Sequence, residues 1–295
     1  MTTLTPTRKT PTATRPVAGR KQPSSLWLHV LLIGGLLVVI TPFVWMVLGS
    51  FKTTGELRQA PPTWWPEDPT FNNYVDLFER LDFARFFFNT ALVAVAVTLG
   101  SLLFSSMLGY ALAKLDFPGK RVLFVLMLCT LMVPAIVTFM PLFVLVTNMG
   151  LVNTYPGLIL PTLAGAGGVA FGGFLMRQYI LGLPDELIDA ARVDGAGEYR
   201  IFFSVILPLC GPALAALAIL TFLAAWNNFL WPLVVASTED MYTLPVAIAL
   251  FAIGQHETNH GLLLAGAVTV VLPVVLVFIV LQRYFTQGIA MTGIK

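Results

Sequence analysis

The fold is decided by one polar stretch, Asp189-Ala190-Ala191-Arg192-Val193-Asp194-Gly195-Ala196, followed further on by Val205-Ile206-Leu207-Pro208. Long apolar segments lie on both sides of it. Pro184 suits the first position of a helix, and the carboxylates of Asp185 and Glu186 complement the positive end of the helix dipole. Glycine commonly ends helices, and Gly195 occupies that place. The stretch therefore predicts two short helices separated by a glycine break, on the water side between two membrane spans.

The composition indicates a membrane protein. Of 295 residues, 57% are hydrophobic and 11% are charged, whereas about a quarter of the residues in soluble domains are charged. A bilayer-spanning helix needs about 20 consecutive apolar residues. The charge-free segments of this length are 26–50, 86–113, 122–150, 158–176, 201–238 and 262–282. We predict an all-α membrane protein with six transmembrane helices. Because 201–238 exceeds one span, its first part is expected to belong to the short helices.

The basic residues predict the orientation of these helices, because lysine and arginine are concentrated in the cytoplasmic segments of membrane proteins. They are frequent before the first span, between the second and third, between the fourth and fifth, and after the sixth. Acidic residues instead concentrate in 51–85 and 239–257. This asymmetry places both termini and the polar stretch in the cytoplasm. The net charge of +2 then reflects topology and does not indicate affinity for nucleic acid.

Three regions follow from this pattern. Residues 1–25 are rich in threonine, proline and basic residues, so we predict a disordered, basic cytoplasmic tail. Residues 26–85 would form the first transmembrane helix and an external loop. Residues 86–295 would form the core transmembrane domain, which includes the polar loop at 184–208.

Two absences from the sequence limit the mechanism. None of the six apolar segments carries Asp, Glu, Lys or Arg, which argues against a carrier coupled to protons or sodium, because such carriers relay ions on intramembrane charges. The chain also has no Gly-x-x-x-x-Gly-Lys-Ser/Thr loop, so we expect no ATP site of that kind and no cofactor. The energy for a pump would have to come from a partner, and the polar loop is its natural point of entry.

The spacing of the polar stretch resembles the signature loop of the inner-membrane subunits of ATP-binding-cassette importers. That family has the pattern Glu-Ala-Ala-x₃-Gly-x₉-Ile-x-Leu-Pro; here Asp189 replaces Glu and Val205 replaces Ile. The resemblance implies a coupling helix, which docks in a cleft of a separate ATPase subunit. It gives the ATPase-coupling role to Asp189, Ala190, Ala191, Asp194, Gly195 and Ala196. The alternative is a solvated helical hairpin without a partner.

The resemblance extends over nearly all of the chain after residue 70. It is carried by Leu131-Met132-Val133-Pro134, Gly150-Leu151-Val152-Asn153-Thr154, Trp226-Asn227-Asn228-Phe229-Leu230-Trp231-Pro232 and Thr243-Leu244-Pro245. These segments are most similar to the second membrane subunit of maltose-type carbohydrate importers. They imply a sugar substrate and a complex with a second homologous permease subunit, two ATP-binding subunits and an extracellular solute-binding protein. They also imply a multi-pass protein of the cytoplasmic (inner) membrane lipid bilayer that is not itself an enzyme.

Polar and aromatic side chains interrupt the fifth apolar segment: Trp226, Asn227, Asn228 and Trp231. Sugars are bound through hydrogen bonds to their hydroxyl groups and through contact with aromatic faces, so we predict that these residues line the substrate pathway. The alternative is helix packing, in which such hydrogen bonds contribute only about 0.6 kcal/mol and tryptophan anchors an interface. We favour the pathway because adjacent asparagines inside a membrane need two satisfied environments.

Two other functions fit parts of the sequence. A permease of the same architecture could carry another solute, such as glycerol phosphate. His256, Glu257 and His260 match the His-Glu-x-x-His pattern of zinc metalloproteases, in which two histidines one helical turn apart bind zinc and the glutamate activates water. Gly254 and Gly261 flank this pattern, and the predicted topology places it outside the membrane. We therefore interpret it as a polar external loop and predict no metal site.

Overall fold

The computed structural model describes residues 26–252 and 259–292, and these contain helices and no strand. The prediction of an all-α protein is therefore confirmed, with 79% of these described residues helical. The chain divides into two units, Met1–Val44 and Trp45–Lys295. The predicted tail at 1–25 lies outside the described residues.

The described residues form fifteen α-helices and three short turns of other helical types. The α-helices are α1 Leu26–Ser50, α2 Thr54–Leu57, α3 Asn72–Arg80, α4 Phe83–Lys114, α5 Lys120–Met132, α6 Ala135–Asn148, α7 Tyr155–Ala164, α8 Phe171–Leu181, α9 Glu186–Val193, α10 Glu198–Ile201, α11 Leu207–Leu209, α12 Gly211–Trp226, α13 Leu230–Val235, α14 Leu244–Ala252 and α15 His260–Thr292. The other turns are π-helical at Ala166–Ala170 and Phe202–Ile206 and 3₁₀ at Glu239–Met241.

Among the described residues, four helices are long and apolar enough to cross a membrane. They are Leu26–Ser50, Phe83–Lys114, Tyr155–Leu181 and His260–Val280. Two further candidates are bent: α5 and α6 meet at 101°, and the helical segment Glu198–Leu209 meets α12 at 80°. Residues 26–252 and 259–292 thus contain four candidate spans, or up to six if each bent pair is one span.

The bends lie where proline or glycine interrupts the helix. Val133 is extended (φ −81°, ψ 119°) between α5 and α6, because the following Pro134 disfavours the helical conformation at the preceding residue. The predicted span 122–150 is therefore two helices at a steep angle. Cys210 separates α11 from α12, which begins with a Gly-Pro pair. The first part of 201–238 accordingly belongs to short helices, as the sequence predicts.

Helix α4 is the central helix of the larger unit and packs against α7, α8 and α12. Its approach to α8 is close: a Cβ atom added to Gly109 would lie 2.7 Å from the Cβ of Met176, so only glycine fits there without a shift. Residues of α4 take part in three buried apolar clusters, of which two bear on the sites described below. The first includes Val93, Val97, Leu158, Phe222 and Val235. The second includes Tyr110, Met176, Ile188, Ile201 and Leu217.

The predicted external loop between α1 and α4 is a folded segment built around a buried ion pair. The ammonium group of Lys52 lies 3.4 Å from Oε1 of Glu56, and their side chains are only 2% and 4% exposed. Lys52 also donates to the carbonyl and hydroxyl oxygens of Thr63, and it lies 5.0 Å from the centroid of the Trp45 ring. The side-chain amide of Asn73 donates to the carbonyl of Lys52 at 2.8 Å. These contacts hold α2 and α3 together.

Candidate functional site

The segment 184–208, which we call the coupling segment, forms two short helices around a glycine break. Helix α9 is followed by Gly195 with φ +77°, a left-handed conformation that residues with a Cβ atom rarely adopt. Helix α10 then begins at Glu198. The first helix starts at Glu186, two positions later than Pro184 would suggest, with Asp185 before it.

One face of α9 is buried and the other is open. Ile188 is 2% exposed and belongs to the buried cluster around Tyr110. Of the six predicted coupling residues, Asp189, Ala190, Asp194 and Gly195 are exposed, and Ala191 and Ala196 are half-buried. Sequence reasoning missed two exposed apolar neighbours, Val193 and Tyr199, which are 88% and 75% exposed. Small and apolar side chains grouped on an open surface suit contact with another protein.

Polar side chains tie the coupling segment to the end of α4. The hydroxyl of Tyr110 donates to Oε2 of Glu198 at 2.6 Å. The guanidinium of Arg192 donates to Oε1 of the same carboxylate from Nε at 3.1 Å and Nη2 at 3.0 Å. Lys114 donates to the carbonyl of Leu183 at 2.7 Å and to Oδ1 of Asp185 at 2.6 Å. Sequence reasoning missed the links to Tyr110 and Lys114, because these two residues lie 69 to 88 positions away from their partners.

The charges of the coupling segment also interact with each other. The carboxylate of Asp189 lies 3.6 Å from the guanidinium of Arg192, and the two side chains are 71% and 43% exposed. The hydrogen bonds from Arg192 to Glu198, together with the charge of that carboxylate, raise the pKa of Arg192. Arg192 therefore remains charged, and it joins α9 to α10 across the glycine break.

A cavity of about 360 Å³ lies between α4, α6, α7, α12 and α13. This volume is within the range of roughly 300–1,000 Å³ that is typical of small-molecule sites. Its walls include Val97, Thr138, Phe139, Pro161, Thr162, Gly165, Gly168, Thr221, Asn228 and Trp231. The hydroxyls of Thr138, Thr162 and Thr221 each donate to a carbonyl of their own helix, so their oxygens keep lone pairs for accepting hydrogen bonds. The cavity therefore combines apolar walls with a few polar groups.

The four predicted pathway residues separate into two pairs. Asn228 and Trp231 line the cavity. Trp226 and Asn227 do not line it: Trp226 is 2% exposed, and its indole nitrogen donates to the carbonyl of Val270 at 3.0 Å. Asn227 is exposed, and its amide nitrogen donates to the carbonyl of Leu223 at 2.9 Å.

The local backbone explains this division. Helix α12 ends at Trp226, and Asn227 follows it as the residue at the helix end. The two asparagines therefore do not stand inside a continuous helix, and they project differently. Trp231 lies in α13, where its indole nitrogen donates to the carbonyl of Gly157 at 3.0 Å and its ring packs edge-on against Phe139.

The zinc-protease pattern falls largely on residues that are not described. His256 and Glu257 lie in the gap at 253–258, and His260 is exposed at the start of α15. Among residues 26–252 and 259–292, no group of three His, Cys, Asp or Glu side chains is placed to hold a metal ion.

The sequence and the fold are similar to proteins of one family. A model of the binding-protein-dependent transport system inner membrane component matches residues 102–291. The chain is 43% identical over 261 residues to the arabinooligosaccharides transport system permease protein AraQ of Halalkalibacterium halodurans, covering 88% of this chain and 92% of that protein. It is 33% identical over 268 residues to the sn-glycerol-3-phosphate transport system permease protein UgpE of Pectobacterium atrosepticum, covering 88% and 94%.

A solved structure has the same fold. The crystal structure of a bacterial ABC transporter involved in the import of the acidic polysaccharide alginate contains a chain that matches with a TM-score of 0.78 and 25% identity. The match covers 88% of this chain and 95% of that chain. The family model spans the coupling segment and the cavity-lining residues from Ala135 to Trp231.

Proposed function

This chain belongs to the family of binding-protein-dependent transport system inner membrane components, and on that premise we propose that it is the permease subunit of an ATP-driven sugar importer. It works with a second homologous permease subunit, two ATP-binding subunits and an extracellular solute-binding protein. It has no ATP site of its own, and its contribution is a pathway through the inner membrane.

The observation that carries this proposal is the coupling segment. Two short helices present small and apolar side chains on an open surface, while Ile188 and the links to Tyr110 and Lys114 seat them on α4. The alternative, a solvated helical hairpin without a partner, gives no reason for these apolar side chains to be exposed. We propose that an ATP-binding subunit docks on Asp189, Ala190, Ala191, Asp194, Gly195 and Ala196, together with Val193 and Tyr199. Closure of the two ATP-binding subunits then moves the membrane helices as rigid bodies.

An oligosaccharide is the proposed substrate. Identity to the arabinooligosaccharide permease is 43%, against 33% to the glycerol-phosphate permease. The cavity offers what a sugar needs: the amide of Asn228, threonine hydroxyls and the ring of Trp231. It holds no cationic side chain among its lining residues, whereas a phosphate is usually bound by arginine or lysine. The observations therefore favour a neutral sugar over glycerol phosphate.

The proposed topology has six spans and both termini in the cytoplasm. It counts the four long helices and the two bent pairs, and it follows the lysine and arginine asymmetry. Residues 26–85 then provide the first span and an external folded loop, and 86–295 provide the core. Cysteine substituted at Thr70 should react with a membrane-impermeant thiol reagent in intact cells, and cysteine at Gly197 only after permeabilisation. Labelling of position 197 from outside would overturn this topology.

The transport proposal is tested on the purified complex. ATP hydrolysis should rise when the solute-binding protein is added with arabino-oligosaccharides and remain low with glycerol 3-phosphate. Stimulation by glycerol 3-phosphate alone would reassign the substrate within the same family. Failure of any ATP-binding subunit to co-purify with the intact chain would contradict the importer itself.

A further inference from the structure

We propose that the contact between Tyr110 and Glu198 transmits movement of the coupling segment to helix α4, and that α4 carries this movement to the cavity. This inference rests on the proposed function, because it assumes that an ATP-binding subunit moves the coupling segment. It identifies the residues of this chain that transmit the movement. They are positioning residues, since neither touches ATP or sugar.

The two covalent routes from the coupling segment to the cavity are both interrupted. Toward the N-terminus, α8 is separated from α7 by the π-helical turn Ala166–Ala170, in which Gly168 has non-helical angles (φ −93°, ψ −117°). Toward the C-terminus, a π-helical turn and the 80° bend at Cys210 separate α10 from α12. A broken helix bends when one end is pushed, so neither route carries a displacement faithfully over this distance.

Helix α4 offers an unbroken route. It runs from Phe83 to Lys114 without a proline inside it. Tyr110 near its end binds the coupling segment, and Val97 on the same helix lines the cavity. These two residues are about 20 Å apart along the axis, because each residue of an α-helix adds 1.5 Å. A displacement of the helix at Tyr110 would therefore move the cavity wall as well.

The link between the coupling segment and α4 is not covalent, so it depends on Glu198. One oxygen of this carboxylate accepts the hydroxyl proton of Tyr110, and the other accepts two N–H groups of Arg192. Glu198 thereby joins α4, α9 and α10 in one cluster. Hydrogen bonds to an ionised group are shorter and stronger than those between neutral groups. The Tyr110 side chain is also fixed by burial, at 4% exposed, and by its contact with the ring of Phe202.

Lys114 holds the start of the coupling segment in the same way. Its side chain is 6% exposed, and its ammonium group binds both the carbonyl of Leu183 and the carboxylate of Asp185. The end of α4 is thus attached before α9 through Lys114 and after α9 through Tyr110. With two attachment points the coupling segment and α4 move together, whereas a single attachment point would allow the segment to rotate about it.

The test is the amount of sugar transported for each ATP hydrolysed, measured with the complete complex in proteoliposomes. Tyr110→Phe removes only the hydroxyl group, and Glu198→Gln removes the charge while keeping the shape. Each should leave ATP hydrolysis running while sugar transported per ATP falls by roughly tenfold, the factor that loss of one charge-assisted hydrogen bond corresponds to. The double variant should be no worse than Glu198→Gln alone, because the two side chains act as one unit.

The matched control is Tyr155→Phe. The Tyr155 hydroxyl donates a 2.7 Å bond to Asn89, so this variant also removes a hydrogen bond to α4, but away from the coupling segment. It should lower thermal stability about as much as Tyr110→Phe and keep the normal ratio of sugar to ATP. The inference is overturned if Tyr110→Phe keeps the normal ratio, or if Tyr155→Phe lowers the ratio equally. An unsubstituted complex that hydrolyses ATP without moving any sugar would instead overturn the proposed function.

Discussion

Asn227 and Asn228 are consecutive residues with different surroundings: Asn227 is bonded back to the helix that it ends, and Asn228 lines the cavity. The side-chain amide of Asn227 donates to the carbonyl of Leu223. No side-chain hydrogen bond of Asn228 is present in the described part of the chain, where this residue is half-buried. A half-buried amide without a partner is costly unless a ligand or water binds it. Asn228 is therefore the better candidate for binding sugar.

This pair gives the first prediction. Asn228→Leu should lower sugar uptake at least about tenfold, because a site built to hydrogen-bond a hydroxyl loses that bond while keeping its shape. Asn227→Leu makes the same chemical change one residue away and should leave uptake nearly unchanged. Both variants should assemble normally, since leucine is favourable in a membrane. Uptake of labelled sugar and co-purified ATP-binding subunit are measured together. Equal uptake by both variants would remove Asn228 from the pathway.

The second prediction concerns the left-handed backbone at Gly195. Nothing lies within 4 Å of a Cβ atom placed there, so within this chain the cost of Gly195→Val is conformational, roughly 1–2 kcal/mol. We expect normal membrane abundance and loss of transport, because the added bulk stands on the surface where we propose that the ATP-binding subunit docks. Gly195→Asn is the control for backbone strain, since asparagine tolerates this conformation. If membrane abundance, the amount of bound ATP-binding subunit and uptake all fall in the same proportion, Gly195 serves only to end a helix.

Charge reversal at Asp189 is the third prediction. Truncating one partner of a desolvated charge pair typically costs about 2–5 kcal/mol. Reversing the charge of Asp189 would in addition repel a basic partner side chain on the ATP-binding subunit. Asp189→Lys should therefore weaken complex assembly at least tenfold and abolish uptake, while membrane insertion continues. The matched control is Asp116→Lys, which reverses a fully exposed carboxylate outside the coupling segment. Normal transport by Asp189→Lys would exclude a docking role for this residue.

The fourth prediction is the pH dependence of the folded loop between α1 and α4. Burial raises the pKa of Glu56, but hydrogen bonds from Thr63, Glu67 and Lys52 lower it more, and its pKa ends below the ordinary value. A depressed pKa stabilises the fold above the unfolded-state value of about 4.3, and this contribution disappears as pH falls through the folded-state pKa. The loop should thus be equally stable from pH 8 to about pH 5 and weaken below about pH 4.

Glu56→Gln tests this directly, because it leaves the ammonium of Lys52 buried without a counter-charge. The expected cost is about 3 kcal/mol at neutral pH, seen as faster proteolysis of residues 51–82 and a lower melting temperature of the complex. In this variant the stability of the loop should also no longer fall below about pH 4. Glu67→Gln changes an exposed side chain of the same loop and should behave like the unsubstituted protein. If the loss of stability at acid pH persists in Glu56→Gln, another titrating group is responsible for it.

The sequence predicted the elements whose signals are local. The first span was predicted at 26–50, and these residues are helical as far as Ser50, because a charge-free and mostly apolar stretch of this length favours a single helix. The glycine break at Gly195 was also predicted, because the glycine of the family pattern is a residue type that commonly ends helices. The break before Pro134 had a signal as well, but apolar composition outweighed it in the prediction of one span.

Long-range contacts could not be predicted in the same way. Nothing near Tyr110 in the sequence indicates a carboxylate eighty-eight residues away, and the buried Lys52–Glu56 pair occurs in a loop that composition describes as polar. Trp226 and Trp231 illustrate the same limit, because both are aromatic residues of one segment. Only the three-dimensional position of the break after Trp226 decides which of them reaches the cavity.

The measurement that tests the central claim most directly is ATP-dependent uptake in proteoliposomes. The complete complex, with its solute-binding protein, is supplied with radiolabelled arabino-oligosaccharides on the outside and ATP inside. We predict that sugar accumulates against its gradient, that accumulation stops without ATP or without the solute-binding protein, and that Gly195→Val abolishes it. Accumulation driven by an ion gradient in the absence of ATP, or no accumulation of any sugar by a complex that hydrolyses ATP, would contradict the account.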